Sequence, residues 1–181
     1  MSMIPHVFTV VPSRPEFNLF GTMNPAKEVG GDFYDFFVLG DHLFFSAGDV
    51  SDKGVPAALL MAVTKTLLKS SAANNLSPAD IFDKVNREID ANNRSMMFVT
   101  CFCAKVDYTA GELTFSNAGH NPLILIAKGL NSEDCRLAKS LFLKVMPERG
   151  FQILQGIESW RARCWYLLDP MESRIYVIQR L

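Results

Sequence analysis

Two aspartates, Asp32 and Asp49, are the residues whose type and spacing most directly suggest chemistry. Two strand-like segments lie between them, joined by Gly40 and Asp41. A two-residue hairpin loop with glycine first is typical of a type II′ turn. That turn fixes a register in which Asp32 and Asp49 oppose each other at the far end of the hairpin. Opposed like charges are destabilising unless they are compensated, and a divalent cation would compensate them.

The residues after Asp49 form a short acidic loop, Val50–Gly54, whose backbone carbonyls could add ligands for a hard cation. Oxygen ligands without a nearby histidine or thiolate favour magnesium or manganese over zinc. The alternative is that Asp32 and Asp49 are solvated acids at strand ends. The pattern alone leaves both interpretations open.

Several elements are expected to position these residues. Strands are predicted at residues 17–23 (an edge strand), 32–39, 42–49, 97–107, 112–117 and 123–127. A largely buried helix is predicted from Pro56 to Ser71, and a second helix begins at the capping residue Ser77 with Ile81, Val85 and Ile89 facing inward. Antiparallel hairpins interrupted by a helix pair predict an α+β layered fold, and apolar residues on both faces of the first hairpin place it inside a sandwich.

The bulk properties exclude some classes of function. With 181 residues, the chain is expected to form one domain. Its formal net charge of -1 gives no electrostatic reason to expect nucleic acid as a partner, which would need a basic face. No run approaches the ~20 apolar residues of a membrane span, and the first residues do not resemble a signal peptide. We therefore expect a cytoplasmic protein with no nucleic-acid or membrane partner.

The four cysteines are expected to be free thiols. Cys101 and Cys103 lie two apart in a strand-like run and so share one face. A phosphatase with a cysteine nucleophile would need an arginine six positions after its cysteine. Those positions hold Asp107, Thr109, Leu141 and Pro170.

Four segments in order resemble motifs of one enzyme family. Val29–Phe37 and Gly48–Met61 resemble the opening motifs of PPM-type serine/threonine phosphatases of the SpoIIE/RsbU branch, and Met97–Thr100 and Asn117–Pro122 resemble the next two. The resemblance implies an α/β/β/α sandwich of antiparallel sheets flanked by helices. It also implies a binuclear Mn2+ or Mg2+ centre.

Carried over by position, the resemblance makes Asp32 and Asp49 the catalytic metal ligands. Asp49 would bridge both ions, and the carbonyl of Val50 would complete one site. The implied reaction is hydrolysis of phosphoserine or phosphothreonine by a metal-activated water. Asp35, on the opposite strand face, is interpreted as structural, and His120 as a turn-forming residue in preference to a catalytic one.

The resemblance weakens after Lys128. The family's Thr-Asp-Gly motif and late Asp-Asp pair are absent, and the tail shows no clear strand period. Asp169 is a poor substitute ligand because Pro170 follows it. We therefore expect residues 1–128 to be the N-terminal portion of the phosphatase domain and 129–181 a divergent segment of the same domain, truncated or frameshifted near Pro170–Ser173.

The missing ligands lead us to expect one retained ion where the family has two. A catalytically impaired pseudophosphatase, or a binding module, is the alternative to an active enzyme. The expected substrate is a phosphorylated protein resembling an anti-anti-sigma factor. The oligomeric state is left open between a monomer and a homodimer.

Overall fold

The computed structural model describes residues 30–110 and 112–120 with their side chains. It also describes the backbone of six further strands. Of the sequence motifs, Val29, Asn121, Pro122 and the segment Pro170–Ser173 lie outside the described residues.

The described elements form a mixed α+β fold with two antiparallel sheets. In chain order they are β1 (Phe17–Gly21), β2 (Phe33–Leu39), β3 (His42–Val50), α1 (Val55–Ala72), α2 (Pro78–Asp90), β4 (Val99–Asp107), β5 (Glu112–Ala118), β6 (Ile124–Ala127), β7 (Arg136–Leu137), β8 (Leu154–Ser159), β9 (Cys164–Asp169) and β10 (Arg174–Arg180). One sheet has the order β1-β10-β9-β6-β7 and the other β2-β3-β4-β5-β8. The predicted hairpin, helix pair and following strands are all present, and β1 is an edge strand as predicted.

The C-terminal tail contains strands, so the expectation that it shows no clear strand period was wrong. β8 extends the sheet that contains the first hairpin, while β9 and β10 join β6 and β1 in the other sheet. The physical reason is that these strands pair with distant segments, so short-range patterning shows them poorly. The Ile175–Ile178 run in β10 is nevertheless rich in β-branched and aromatic residues, which is a typical strand signal.

Local sequence sets the helix boundaries. α2 begins at Ser77, whose hydroxyl oxygen accepts a hydrogen bond from the backbone N–H of Asp80 at 3.2 Å, as predicted. α1 begins after Gly54, whose φ of 84° is a conformation that glycine adopts without strain. The expectation that this helix is largely buried was wrong for one face. Along that face Val55, Leu59 and Val63 are exposed.

Both faces of the β2–β3 hairpin are buried, as predicted for a sheet inside a sandwich. The helix face packs against α1 and α2, and its aromatic residues are Phe33, Phe37 and Phe44. The opposite face forms a second apolar cluster that includes Tyr34, Phe36, Leu43, Phe45 and Phe102. The hairpin is therefore held rigidly from two sides.

The cysteines of β4 are free and buried, as expected. Burial raises the pKa of Cys103 to about 12 and raises that of Cys101 well above its ordinary value, with the neighbouring Cys103 as the second cause. Neither thiol is therefore a nucleophile near neutral pH. The side chains of Cys135 and Cys164 lie outside the described residues.

Candidate metal centre

The hairpin register is the one that the sequence predicted. β2 and β3 pair so that Leu39 faces His42 and Phe33 faces Gly48, where the ladder ends. Extended outward by one residue, this register would place Asp32 opposite Asp49. Gly40 has a φ of 57°, while Asp41 is not among the described residues with positive φ. These signs are those of the predicted type II′ turn. Both aspartates are half-buried.

Gly31 allows the chain before Asp32 to approach the backbone of Val50. A Cβ at Gly31 would lie 2.7 Å from the Val50 Cβ and 2.8 Å from the Val50 carbonyl oxygen, both far inside van der Waals contact. The same addition at Gly30 would meet nothing closer than the Asp32 nitrogen at 3.9 Å. The absence of a side chain at Gly31 therefore keeps Asp32 beside the carbonyl that sequence analysis assigned as a ligand.

Thr100 and His120 support the backbone of Asp49. Thr100 lies opposite Asp49 in the β3–β4 ladder, and its hydroxyl donates to the Asp49 carbonyl at 3.3 Å. His120 Nδ1 lies 3.1 Å from the same hydroxyl. Because the hydroxyl has one proton, His120 Nδ1 donates to it when both bonds are formed. The buried His120 is thus linked to the backbone carbonyl of Asp49 through the Thr100 hydroxyl.

The loop around His120 is a local turn, in line with the role expected for it. The Asn117 side chain accepts from the backbone N–H of His120 at 2.8 Å and donates to the His120 carbonyl at 3.1 Å. Gly119 between them has a φ of 68°, which favours glycine. These bonds fix the imidazole in place beside β4.

A second contact from the same strand region reaches the loop after Val50. The backbone N–H of Ser51 donates to the Phe98 carbonyl at 2.8 Å, and the Phe98 N–H donates to Ser51 Oγ at 2.9 Å. Asp49, Val50 and Ser51 are therefore each paired with the segment Phe98–Thr100. This segment fixes the path of the loop Val50–Gly54, which we call the candidate metal loop.

Asp35 lies away from the candidate centre, on the helix face. Its carboxylate forms a partly buried ion pair with Lys65 of α1 at 3.9 Å, and Lys65 Nζ also donates to the Tyr34 carbonyl at 3.1 Å. Burial lowers the pKa of Lys65, and the charge of Asp35 opposes that shift. The pair ties α1 to β2.

The donor set suits one hard cation. Asp32 and Asp49 supply carboxylate oxygens, and Val50 supplies a carbonyl that Gly31 leaves room for, which are ligands that magnesium and manganese prefer. Within residues 30–110 and 112–120, no three histidine, cysteine or acidic side chains come close enough to form a larger cluster. A cleft of about 390 Å³ between β2 and α1 has Asp32 in its wall. Asp32, Asp49 and Val50 are therefore the described residues that could hold a single ion.

Sequence reasoning missed the supporting contacts of Thr100, Ser51 and Phe98. Thr100 and Phe98 lie in the recognised Met97–Thr100 segment, but that resemblance assigned them no role. No local signal could have found them, because their roles depend on the pairing of this segment with β3, which is known only once the β3–β4 register is known.

Similarity to known proteins covers most of the chain. Residues 40–155 match the family model of stage II sporulation protein E (SpoIIE). The phosphoserine phosphatase RsbU of Bacillus subtilis is 28% identical across 80% of this chain, and protein IcfG of Synechocystis is 30% identical across 68% of it. The matches cover 43% and 23% of those relatives, so the chain spans less than half the length of either.

Solved structures show the same fold at low identity. The RsbU and RsbW domains of a Mycobacterium tuberculosis protein superpose with a TM-score of 0.69 at 18% identity, covering 95% of this chain and 61% of that one. RsbX in complex with magnesium gives a TM-score of 0.70 at 12% identity, covering 95% and 99%. The fold is therefore that of the PPM-type phosphatases.

Among the described helices, none is long and apolar enough to cross a membrane.

Proposed function

Because the chain belongs to the SpoIIE family, we propose that it is a metal-dependent protein serine/threonine phosphatase with its centre at Asp32, Asp49 and the Val50 carbonyl. The observation that carries the proposal is the β2–β3 register, whose last pair is Phe33 and Gly48 and which, extended by one residue, would place Asp32 opposite Asp49. Like charges that face each other are unfavourable, and a shared cation would relieve the repulsion. We also propose that the complete domain is an α/β/β/α sandwich of antiparallel sheets flanked by helices.

The chain's own residues hold and shape the site. Asp32 and Asp49 supply negative charge to one Mn2+ or Mg2+ ion, and Gly31 keeps the Val50 carbonyl within reach of Asp32. When bound, such an ion lowers the pKa of a coordinated water and stabilises charge on phosphoryl oxygens.

The proposed substrate is a phosphorylated protein of sigma-factor regulation, resembling an anti-anti-sigma factor. Its support is the similarity to RsbU, which is named a phosphoserine phosphatase. We assign residues 1–128 and 129–181 to one phosphatase domain, and the family match across residue 128 supports this assignment. A cytoplasmic location and a homodimer stay predictions from sequence.

A catalytically impaired pseudophosphatase, or binding module, is the second candidate. The observation that favours it is the absence, within the described ranges, of a third carboxylate near Asp32 and Asp49. A single ion can still activate water, but the clamp of paired ions on attacking and leaving oxygens is lost. This candidate predicts binding of manganese and of the phosphoprotein without turnover.

Isothermal titration calorimetry with manganese tests the proposed centre. Asp49→Asn should abolish binding because it removes one of only two carboxylates at the site. Asp41→Asn, at the exposed hairpin turn, is the matched control and should leave binding unchanged. Unchanged binding in Asp49→Asn, or two well-occupied sites in the wild type, would show that the ligand assignment is wrong.

Turnover of an aryl phosphate with manganese separates the two candidate functions. The phosphatase proposal predicts product formation that Asp49→Asn abolishes. The binding-module candidate predicts no turnover in either protein, together with manganese binding that still depends on Asp49. Turnover that survives in Asp49→Asn would exclude Asp49 as a ligand of the catalytic ion.

A further inference from the structure

The segment that joins α2 to β4 is held by the side chain of Asn93. Asn93 Nδ2 donates to the carbonyl of Met97, and Asn93 Oδ1 accepts from the Met97 N–H at 3.0 Å. The side-chain amide therefore pairs with both backbone groups of Met97, as a neighbouring strand would. Met97 lies just before the segment that pairs with the candidate metal loop.

The backbone between Asn93 and Met97 is strained. Met96 has a φ of 52° and is 87% exposed. This conformation is rare for a bulky residue and persists only where the surrounding structure imposes it. The two bonds from Asn93 span this position and hold the chain beyond it in place. Without them, the backbone at Met96 can relax, and the residues that follow are free to shift.

The shift would be transmitted to the candidate centre through the two hydrogen bonds between Phe98 and Ser51. Phe98 follows Met97, and its N–H and carbonyl bond Ser51 Oγ and the Ser51 N–H at 2.9 and 2.8 Å. Ser51 follows Val50 in the chain. A displacement of Phe98 therefore displaces the residue next to a proposed ligand.

We infer that Asn93 is a positioning residue for the metal loop, acting through Met97, Phe98 and Ser51. The inference rests on the proposed function, because it concerns ligands at Asp49 and Val50. It connects the turn that follows α2 to the centre through these three residues. Groups that orient metal ligands from outside the ligand set commonly affect metal affinity as well as local order.

The purely structural alternative is that Asn93 only stabilises the turn after α2. The adjacent Asn92 provides a matched control, because its Nδ2 donates only weakly at 3.4 Å to the Glu88 carbonyl at the helix end. Both asparagines lie in the same turn. Asn93→Ala and Asn92→Ala therefore remove the same chemical group from neighbouring positions, one bonded toward the metal loop and the other bonded back to the helix.

Two measurements on the full chain test the inference. In manganese calorimetry, Asn93→Ala should raise the dissociation constant on the order of 10-fold, and Asn92→Ala should leave it unchanged. In hydrogen exchange of the metal-free protein, the Ser51 amide should exchange faster in Asn93→Ala than in wild type. A lower melting temperature with unchanged manganese affinity and unchanged Ser51 exchange would overturn the inference.

Ser51 variants test whether the effect follows the proposed route. Ser51→Ala should weaken manganese binding as Asn93→Ala does, and Ser51→Thr should restore it because the hydroxyl acceptor is kept. The double variant should bind about as weakly as the weaker single variant, since both changes break the same chain of contacts. Fully additive losses would show separate routes and overturn the inference.

Failure of the proposed function would be recognised separately. If Asp49→Asn binds manganese like wild type, the ligand assignment fails. The exchange rate of the Ser51 amide in Asn93→Ala, measured without metal, then still decides whether Asn93 orders this loop. An unchanged rate overturns the inference, and a raised rate supports it.

Discussion

Replacing Gly31 with alanine should destabilise the protein because a methyl group there collides with Val50. The added Cβ would lie 2.7 Å from the Val50 Cβ and 2.8 Å from its carbonyl oxygen, whereas ordinary contacts are 3.4–4 Å. Either backbone must move by several tenths of an ångström or more. Overpacking of this kind costs about 1–3 kcal/mol.

Comparison with Gly30→Ala isolates the cost of the clash between a methyl group at Gly31 and Val50. Neither Gly30 nor Gly31 has a positive φ, so alanine fits the backbone conformation of both. Each substitution lowers the entropy of the unfolded chain by a similar amount, worth about 0.4–1 kcal/mol. The difference between the variants therefore reports the clash alone, and we expect Gly31→Ala to be less stable than Gly30→Ala by about 1–3 kcal/mol.

Urea denaturation followed by circular dichroism measures both variants, with equal slopes expected because the exposed surface is the same. Manganese titration supplies a second readout, since movement of either backbone in Gly31→Ala changes the spacing between Asp32 and the Val50 carbonyl, whereas Gly30→Ala leaves it unchanged. Equal urea midpoints for the two variants would refute the close approach of Gly31 to Val50. A large stability loss with unaltered manganese affinity would refute the role of that carbonyl as a ligand.

Two further predictions concern charges remote from the centre. Lys65→Met should cost about 3 kcal/mol in urea denaturation because it leaves the buried Asp35 carboxylate without its ion-pair partner, and the double variant Asp35→Leu/Lys65→Met should be closer to wild type. Hydrogen bonds, chiefly from the Ala110 N–H, hold the pKa of Asp107 below its ordinary value of 3.8. Its charge therefore stabilises the fold above pH 3.8 and ceases to do so as the pH falls through the lowered pKa. The stability difference between wild type and Asp107→Asn should therefore vanish in acid below that pKa.

The hairpin and its facing aspartates could be predicted because they depend on local sequence. Gly40 and Asp41 specify the turn, and the turn specifies the observed register. The placement of Asp32 opposite Asp49 extends that register by one residue and stays a prediction. The capping residue Ser77 specified the start of α2 in the same way. These features need no knowledge of distant residues.

Features that depend on distant pairing could not be predicted. Thr100 reaches the Asp49 carbonyl because β3 and β4 are neighbours, yet two helices separate them in sequence. The strands of the tail were missed for the same reason. The exposed side of α1 was missed on different grounds: Leu59 and Val63 are apolar like the buried positions, so the periodicity does not distinguish the two faces.

The pairing of β1 with β10 has a consequence for how the protein is made. Phe17 lies opposite Arg180 and Gly21 opposite Tyr176, so β1 pairs with a strand that is synthesised after all the other described strands. β2 to β5 can assemble with both helices while β1 still lacks its neighbour. Closing so long a loop is slow, and an unpaired strand can associate with other chains in the meantime. The edge that β1 forms is therefore exposed to association with other chains until β10 has been synthesised.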